Sequence, residues 1–123
     1  MKTNRDLGLL ILRLGAAGMM LTHGIPKISK LFDSPIEFAD PLHVGATLSL
    51  ILTLIGEVVA PALILVGFKT KLAAIPAFIT MVVAALVVHG ADDFATKEKA
   101  LLYALCFLVI AIAGPGKYAL DKE

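Results

Sequence analysis

Long apolar stretches follow one another along this chain, with only short polar segments between them. Apolar residues dominate four stretches, at positions 7–28, 44–67, 72–90 and 99–114. At about 1.5 Å per residue, a helix of roughly twenty residues spans the ~30 Å hydrocarbon core of a bilayer. The pattern therefore predicts an all-α integral membrane protein, a bundle of four transmembrane helices that fills a single domain of residues 1–123.

Turn-forming residues separate the predicted helices. Gly90 follows the third stretch, and Gly114-Pro115-Gly116 follows the fourth, as expected where helices end. Pro61 lies inside the second stretch and predicts a kink one turn beyond Glu57. The connection at residues 68–71 is very short, so we expect the second and third helices to form an antiparallel hairpin.

Composition agrees with a membrane protein and excludes several classes of function. The chain is 59% hydrophobic and 17% charged, against about 45–50% and 25% in soluble domains. A net charge of +1 indicates that nucleic acid is not a partner. The single cysteine, Cys106, excludes dithiol chemistry within the chain.

The first apolar stretch could be mistaken for a signal peptide. Arg13 interrupts this stretch and no small-x-small cleavage site follows, so we interpret the stretch as a retained helix.

The placement of basic residues predicts an orientation. Six cationic residues lie on one side of the predicted bundle and four lie on the other. The first set is Lys2, Arg5, Lys69, Lys71, Lys117 and Lys122, and the second is Lys27, Lys30, Lys97 and Lys99. Because cytoplasmic segments carry the excess of Lys and Arg, both termini are predicted to be cytoplasmic.

Glu57 lies near the centre of the second apolar stretch. A carboxylate at that depth costs roughly 2.5 kcal/mol or more to insert, so it should face other helices. At ~1.5 Å per residue, Glu57 lies roughly 15 Å and Arg13 roughly 9 Å from the inner surface. The sequence therefore predicts an Arg13–Glu57 ion pair. An unpaired carboxylate would instead hold a proton, and the sequence leaves these alternatives open.

One face of the first helix carries a row of polar residues. Arg13, Ala16, Met20, His23 and Lys27 follow one another at spacings of three and four, so they share one side of the helix. Lys27 has a simpler interpretation, in which its long side chain reaches out to the membrane surface. His23 could likewise be an interior histidine with a satisfied hydrogen bond.

Two histidines end helices that run in the same direction. His23 precedes Gly24, and His89 precedes Gly90, so both imidazoles are expected at one depth near the outer surface. His43 is expected in solvent at the mouth of the second helix. The facing histidines could bind haem or a metal, could donate to a quinone carbonyl, or could cap helix ends. No motif in the sequence specifies a metal or haem.

The polar residues predict one pocket that opens toward the outer leaflet. Catalytic roles are predicted for His23, Glu57 and His89. The ligand-binding residues are predicted to be Arg13, Met20, Lys27, Thr53 and Ala85. Tyr103, Cys106 and Phe107 are expected to form its wall on the fourth helix. No metal-binding residue is predicted.

The order of these residues resembles the DoxX family along nearly the whole chain. The resemblance rests on Arg13, His23-Gly24-x-x-Lys27, Glu57, Leu65-x-Gly67-Phe68-x-Thr70-Lys71, His89, Phe94, Glu98 and the ending Gly114-Pro115-Gly116-Lys117-Tyr118-x-Leu120-Asp121. It implies a small four-helix protein of a bacterial or archaeal inner membrane. Such relatives include a subunit of a thiosulfate:quinone oxidoreductase and a membrane partner in an oxidative-stress complex.

Two functional hypotheses follow. In the first, the chain is an oxidoreductase-associated subunit with quinone as its cofactor and haem as the weaker alternative. A soluble or peripheral redox partner would then supply electrons, because no flavin, iron–sulfur or dithiol motif is present. In the second, the chain is a non-enzymatic membrane adaptor or a permease for a small solute or anion. Gly- and Ala-rich helix faces also allow a homodimer. Whether the chain is catalytic alone stays open.

Overall fold

In the computed structural model, which describes residues 2–121 and their side chains from residue 4 onward, four long helices account for most of the chain. They are α1 (Lys2–Gly24), α2 (Ala46–Val66), α3 (Thr70–Val88) and α4 (Phe94–Ala113). Lys122, which the orientation argument used, lies outside the described residues. The all-helical fold predicted from the sequence is confirmed.

Three helical segments of the described chain are long and apolar enough to cross a membrane. They are Asn4–Phe32, Ala46–Val66 and Thr70–Val88. The first joins α1 to a short 3-10 helix, Ile25–Phe32, that continues it beyond Gly24. The prediction of a membrane protein with several spanning helices is therefore confirmed.

The connection between the 3-10 helix and α2 has no regular structure over residues 33–45, but hydrogen bonds hold it in place. The carboxylate of Asp40 accepts bonds from the backbone N–H groups of Val44 (2.8 Å) and Gly45 (2.7 Å). Ser49 Oγ donates to the carbonyl oxygen of Ala39 at 2.6 Å. The N–H donors, that of Val44 above all, hold the pKa of Asp40 below its usual range. These hydrogen bonds hold the connection against the start of α2.

Both α2 and α3 contain one turn of π-helix, at Ile55–Val59 and Ala84–Val88. Pro61 has no N–H, so the carbonyl oxygen of Glu57 cannot receive the usual helical bond from that position. The π turn ends at Val59, two residues before this proline. Such turns often lie at functional sites because they displace side chains from regular helical positions. Here they carry Glu57 and lead into His89.

The four helices pack in chain order around a closed ring, with α4 returning to α1. Their common core combines alanines from all four helices with a smaller number of large apolar side chains. Buried members include Ala73, Ala74 and Ala77 of α3, Met20 of α1, Ile64 of α2, and Phe107 and Ile110 of α4. Small residues allow helix backbones to approach closely, which is how helices associate within a bilayer.

Residues 114–121 return beneath the bundle and bind the turn between α2 and α3; we call this segment the tail clasp. The backbone N–H of Asp121 donates to the carbonyl oxygen of Gly67 at 2.7 Å. Its carboxylate accepts bonds from the N–H groups of Lys69 (2.7 Å) and Thr70 (2.8 Å), which caps the start of α3. Burial raises the pKa of Asp121, but the hydrogen bonds from Thr70 and Lys69 outweigh it and hold this pKa below its usual range.

Candidate functional site

Two neighbouring cavities lie at the end of the bundle opposite the tail clasp. The larger, about 420 Å³, lies between α2 and α3 beneath the segment 33–45. Its lining residues are mostly apolar, with a small polar group at one end. The apolar wall includes Leu52, Ile55, Ile79, Val83 and Val88, and the polar end includes Lys27, Thr53, Glu57 and His89. Its volume lies within the usual range of about 300–1,000 Å³ for ligand pockets.

The smaller cavity, about 190 Å³, is lined mainly by residues of α1, α3 and α4. It shares Lys27, Glu57, Ala84 and His89 with the larger one. The residues that line it alone are Met20, His23, Met81, Thr96, Lys99, Ala100 and Tyr103. The four shared residues therefore form a common wall between the two cavities.

An ion pair is the main feature of this common wall. Lys27 Nζ lies 2.7 Å from Glu57 Oε1, and their side chains are 31% and 7% exposed. The pair forms because the 3-10 helix passes directly over the π turn of α2. Gly24 makes this approach possible, since a Cβ at that position would overlap the carbonyl oxygen of Glu57. Lys27 thus serves as the partner of a buried carboxylate rather than only reaching for the membrane surface.

The predicted Arg13–Glu57 ion pair is wrong. Arg13 is buried at the end of the bundle that the tail clasp covers, with an exposed fraction of only 1%. Its guanidinium donates to four backbone carbonyls, those of Ile64 (3.0 Å), Leu65 (3.0 Å), Pro115 (3.1 Å) and Tyr118 (2.8 Å). The last carbonyls of a helix lack intrahelical donors, and a forked guanidinium can satisfy several at once. Arg13 therefore joins α2 to the tail clasp and lines neither cavity.

The two predicted histidines and Glu57 do meet, because all three line the smaller cavity. The His23 ring packs edge-on against Tyr103, with the ring centroids 5.8 Å apart. His89 Nδ1 lies 2.9 Å from a carboxylate oxygen of Asp92. The sequence had not singled out Asp92, although its position three residues after His89 was a usable signal. The catalytic roles of His23, Glu57 and His89 stay predictions.

The structure separates the remaining predicted site residues. Thr53 lines the larger cavity, whereas Met20 lines the smaller. Ala85 is fully buried and lines neither cavity, whereas its neighbour Ala84 lines both. The π turn explains this difference, because the N–H of His89 bonds to the carbonyl oxygen of Ala84, five residues back, instead of that of Ala85.

The wall predicted on the fourth helix is formed mainly by Tyr103, which lines the smaller cavity. Phe107 is fully buried behind it and stacks on its ring at 6.3 Å. Cys106 is half-buried and lines neither cavity. His43 is exposed, as expected. Within residues 2–121, no group of three or more His, Cys, Asp or Glu side chains could hold a metal ion.

Comparison with known proteins identifies the family. The model of the DoxX family matches residues 8–90, which is more than half of the chain. This range covers most of α1 and all of α2 and α3, and it includes the Lys27–Glu57 pair and His89. No curated protein and no solved structure matches the chain. With three segments that could cross a membrane and a family match over more than half its length, the chain is a membrane protein that belongs to the DoxX family.

Proposed function

We propose that this protein is the membrane subunit of a quinone-linked oxidoreductase and that it binds the quinone in the larger cavity. One observation carries the proposal: an apolar cavity of about 420 Å³ ends at a lysine–glutamate ion pair and a histidine. A quinone combines an apolar ring and tail with two carbonyl acceptors, so it needs both kinds of surface. The smaller cavity, at about 190 Å³, is below the usual size of such pockets.

The apolar wall of the larger cavity gives a quinone a route from the bilayer. Leu52, Ile55, Ile79 and Val88 line it, and each is 40–53% exposed on the outer surface of the bundle. In a membrane, side chains exposed on the outside of a helix bundle contact lipid. A long apolar tail could therefore remain among the lipid chains while the ring enters between α2 and α3.

The polar end of the cavity supplies hydrogen-bond donors and a group that can exchange protons. The ammonium of Lys27 and the hydroxyl of Thr53 can each donate to a quinone carbonyl. The Asp92 carboxylate accepts from His89 Nδ1, which leaves Nε2 to give a proton to the reduced quinone or to take one from the quinol. Glu57 keeps Lys27 in place beside this position.

Reduction of a quinone requires two electrons and two protons, and His89 accounts only for proton exchange. The sequence contains one cysteine and no flavin or iron–sulfur motif. We therefore propose that a soluble or peripheral redox partner carries the electrons, and that this chain provides the quinone site within the membrane.

Extraction of the protein purified from its native membrane tests the quinone proposal. We expect quinone to accompany the wild-type protein, and we expect His89→Ala and Thr53→Val to retain several-fold less. Each of these changes removes one polar group from the larger cavity and leaves the ion pair intact. Chromatography of an organic extract measures the bound quinone per protein.

His43→Ala is the matched control, because His43 is exposed and lines neither cavity. It should retain as much quinone as the wild type. If no quinone accompanies the wild-type protein and added quinone leaves its thermal unfolding unchanged, the proposal is wrong. A membrane adaptor or small-solute permease would then be the better hypothesis.

We further propose that α4 is a fourth span and that both termini are cytoplasmic, in the inner membrane of a bacterium or archaeon. α4 is 20 residues long, and its exposed side includes Leu102, Leu105 and Ile112, which are 56–69% exposed. Such a surface is suited to lipid. Its charged residues, Lys97, Glu98 and Lys99, lie in the first two turns, where they can reach the membrane surface.

Reporter fusions test this topology. Fusions at Asp40 and Asp93 should be active only with a reporter that works outside the membrane, and a fusion at Lys69 only with a cytoplasmic one. The prediction follows from the excess of basic residues on the Lys69 side. An external Lys69 would reverse the orientation and would place both cavities in the cytoplasmic leaflet.

A further inference from the structure

The smaller cavity contains donor groups that the quinone proposal does not use. Four of the side chains that line it can donate hydrogen bonds: His23, Thr96, Lys99 and Tyr103. Among the described residues, none of these four side chains has a hydrogen-bond or ion-pair partner. Their convergence on one cavity indicates a site for a ligand that is rich in acceptor atoms.

The charges around the cavity favour a negatively charged ligand. Lys27 is already paired with Glu57, and His89 is already bonded to Asp92. Lys99 therefore adds a positive charge that the other lining residues do not balance, since Glu57 is the only carboxylate among them. A charged acceptor forms shorter and stronger hydrogen bonds than a neutral one with these donors.

The inner wall of the same cavity is apolar, and this restricts the ligand further. Met20 and Met81 are 1% and 5% exposed, and they line the cavity together with Ala84 and Ala100. An inorganic oxyanion would leave this methionine surface without a partner. A carboxylate that carries a short alkyl group would cover it while its oxygens meet the donors.

We propose that the smaller cavity binds a small aliphatic monocarboxylate from the aqueous phase. The carboxylate would contact Lys99, Tyr103, Thr96 and His23, and the alkyl group would lie against Met20 and Met81. A volume of about 190 Å³ holds a ligand of roughly two to four carbon atoms, given about 30 Å³ for one water. Thr96 and Lys99 are exposed in the first turns of α4, so the ligand enters from solvent rather than from lipid.

Thermal unfolding of the purified protein in detergent tests the proposal, with sodium propionate as the probe. Propionate should raise the unfolding midpoint in a saturable manner, because it binds the folded state only. Sodium chloride and sodium nitrate at the same ionic strength and pH should raise it much less. Lys99→Gln and Tyr103→Phe should each weaken the apparent affinity for propionate about tenfold, as the loss of a charge-assisted hydrogen bond predicts.

Lys97→Gln is the matched control. Lys97 is two residues before Lys99 on α4, but it does not line the cavity. Its ammonium donates instead to the carbonyl oxygen of Gly90 at 3.1 Å. It should bind propionate like the wild type. Equal stabilisation by nitrate, or an equal loss of affinity in Lys97→Gln, would show a general charge effect and overturn the proposal.

Tyr103→Phe keeps the test decisive if Lys99→Gln fails to fold, because it removes one oxygen atom and keeps the aromatic contacts. Unchanged propionate affinity in folded Tyr103→Phe and Lys99→Gln protein would contradict the site. The result is independent of the quinone proposal, since neither Lys99 nor Tyr103 lines the larger cavity. Bound quinone should therefore be the same in both variants and in the wild type.

Discussion

Arg13→Met should destabilise the protein by about 3–5 kcal/mol, the range for removing one side of a buried charged interaction. The side chain is 1% exposed, and it donates four hydrogen bonds to carbonyls of α2 and of the tail clasp. Methionine fills much of the same space but has no donor. The variant would remove the side-chain donor from the carbonyls of Ile64 and Leu65 at the end of α2, and only that of Ile64 would keep a backbone donor, the N–H of Gly67. Denaturant or thermal unfolding in detergent measures the effect.

Arg13→Lys separates hydrogen-bond geometry from charge. A lysine ammonium is a single point with three donors, whereas the guanidinium reaches carbonyls on two different segments at once. Arg13→Lys should therefore lose most of the stability that Arg13→Met loses. Arg5→Met is the control on the same helix, because the Arg5 side chain is 63% exposed. Wild-type stability in Arg13→Lys would show that charge alone matters at this position.

The contacts of Arg13 give the chain after α4 a structural role away from the candidate site. Gly67 has a positive φ of 76°, and a Cβ there would overlap Ala119 and crowd the guanidinium of Arg13. Gly116 also has a positive φ, of 77°, where the chain turns beneath α1. Asp121 then closes the segment on the start of α3. These residues stabilise the end of the bundle that is opposite the two cavities.

The sequence predicted the helices well because long apolar stretches in a small protein have few alternatives. The predicted bounds were short where charged residues continue a helix beyond its apolar part. α1 begins at Lys2 rather than near residue 7, and α4 begins at Phe94 rather than near residue 99. Polar residues at helix ends can reach the membrane surface, so hydropathy marks the lipid-embedded part of a helix and not its full length.

The contacts of the buried charged residues, unlike the helices, could not be predicted from the pattern of apolar stretches. Depth was estimated from straight helices at a constant rise, and this placed Arg13 and Glu57 within reach of each other. Arg13 instead contacts two carbonyls at the end of α2 and two in the tail clasp, Pro115 and Tyr118, which lie more than 100 residues away in sequence. Nothing in helical spacing indicates that the chain returns there. The replacement of Ala85 by Ala84 has a similar origin, because regular spacing cannot anticipate a π turn.

Lys27, in contrast, was on the predicted polar face of α1, where its side chain was also expected to be able to reach out to the membrane surface. The 3-10 helix that follows Gly24 brings it to 2.7 Å from the carboxylate. The prediction that Glu57 pairs with a cation was therefore correct, but the cation is Lys27 and not Arg13. The same reasoning now predicts the energetics of the Lys27–Glu57 pair.

Lys27→Met should destabilise the protein by about 2–4 kcal/mol, because it leaves the carboxylate of Glu57 in the bundle without its partner. This is below the effect expected for a fully buried pair, since Lys27 is 31% exposed and solvent screens part of the interaction. Glu57→Gln should have a smaller effect, because an uncovered ammonium on a flexible side chain can turn toward water. Thermal unfolding of the single variants measures both.

The double variant Lys27→Met with Glu57→Gln should be more stable than Lys27→Met alone. Once the carboxylate is neutral, its burial no longer requires a cation, so the two changes should couple by about 1–3 kcal/mol. Lys30→Met combined with Glu57→Gln is the control, because Lys30 belongs to the same 3-10 helix but is exposed. That pair should be additive. Additivity in the Lys27 pair as well would mean that the ion pair does not hold the wall between the two cavities.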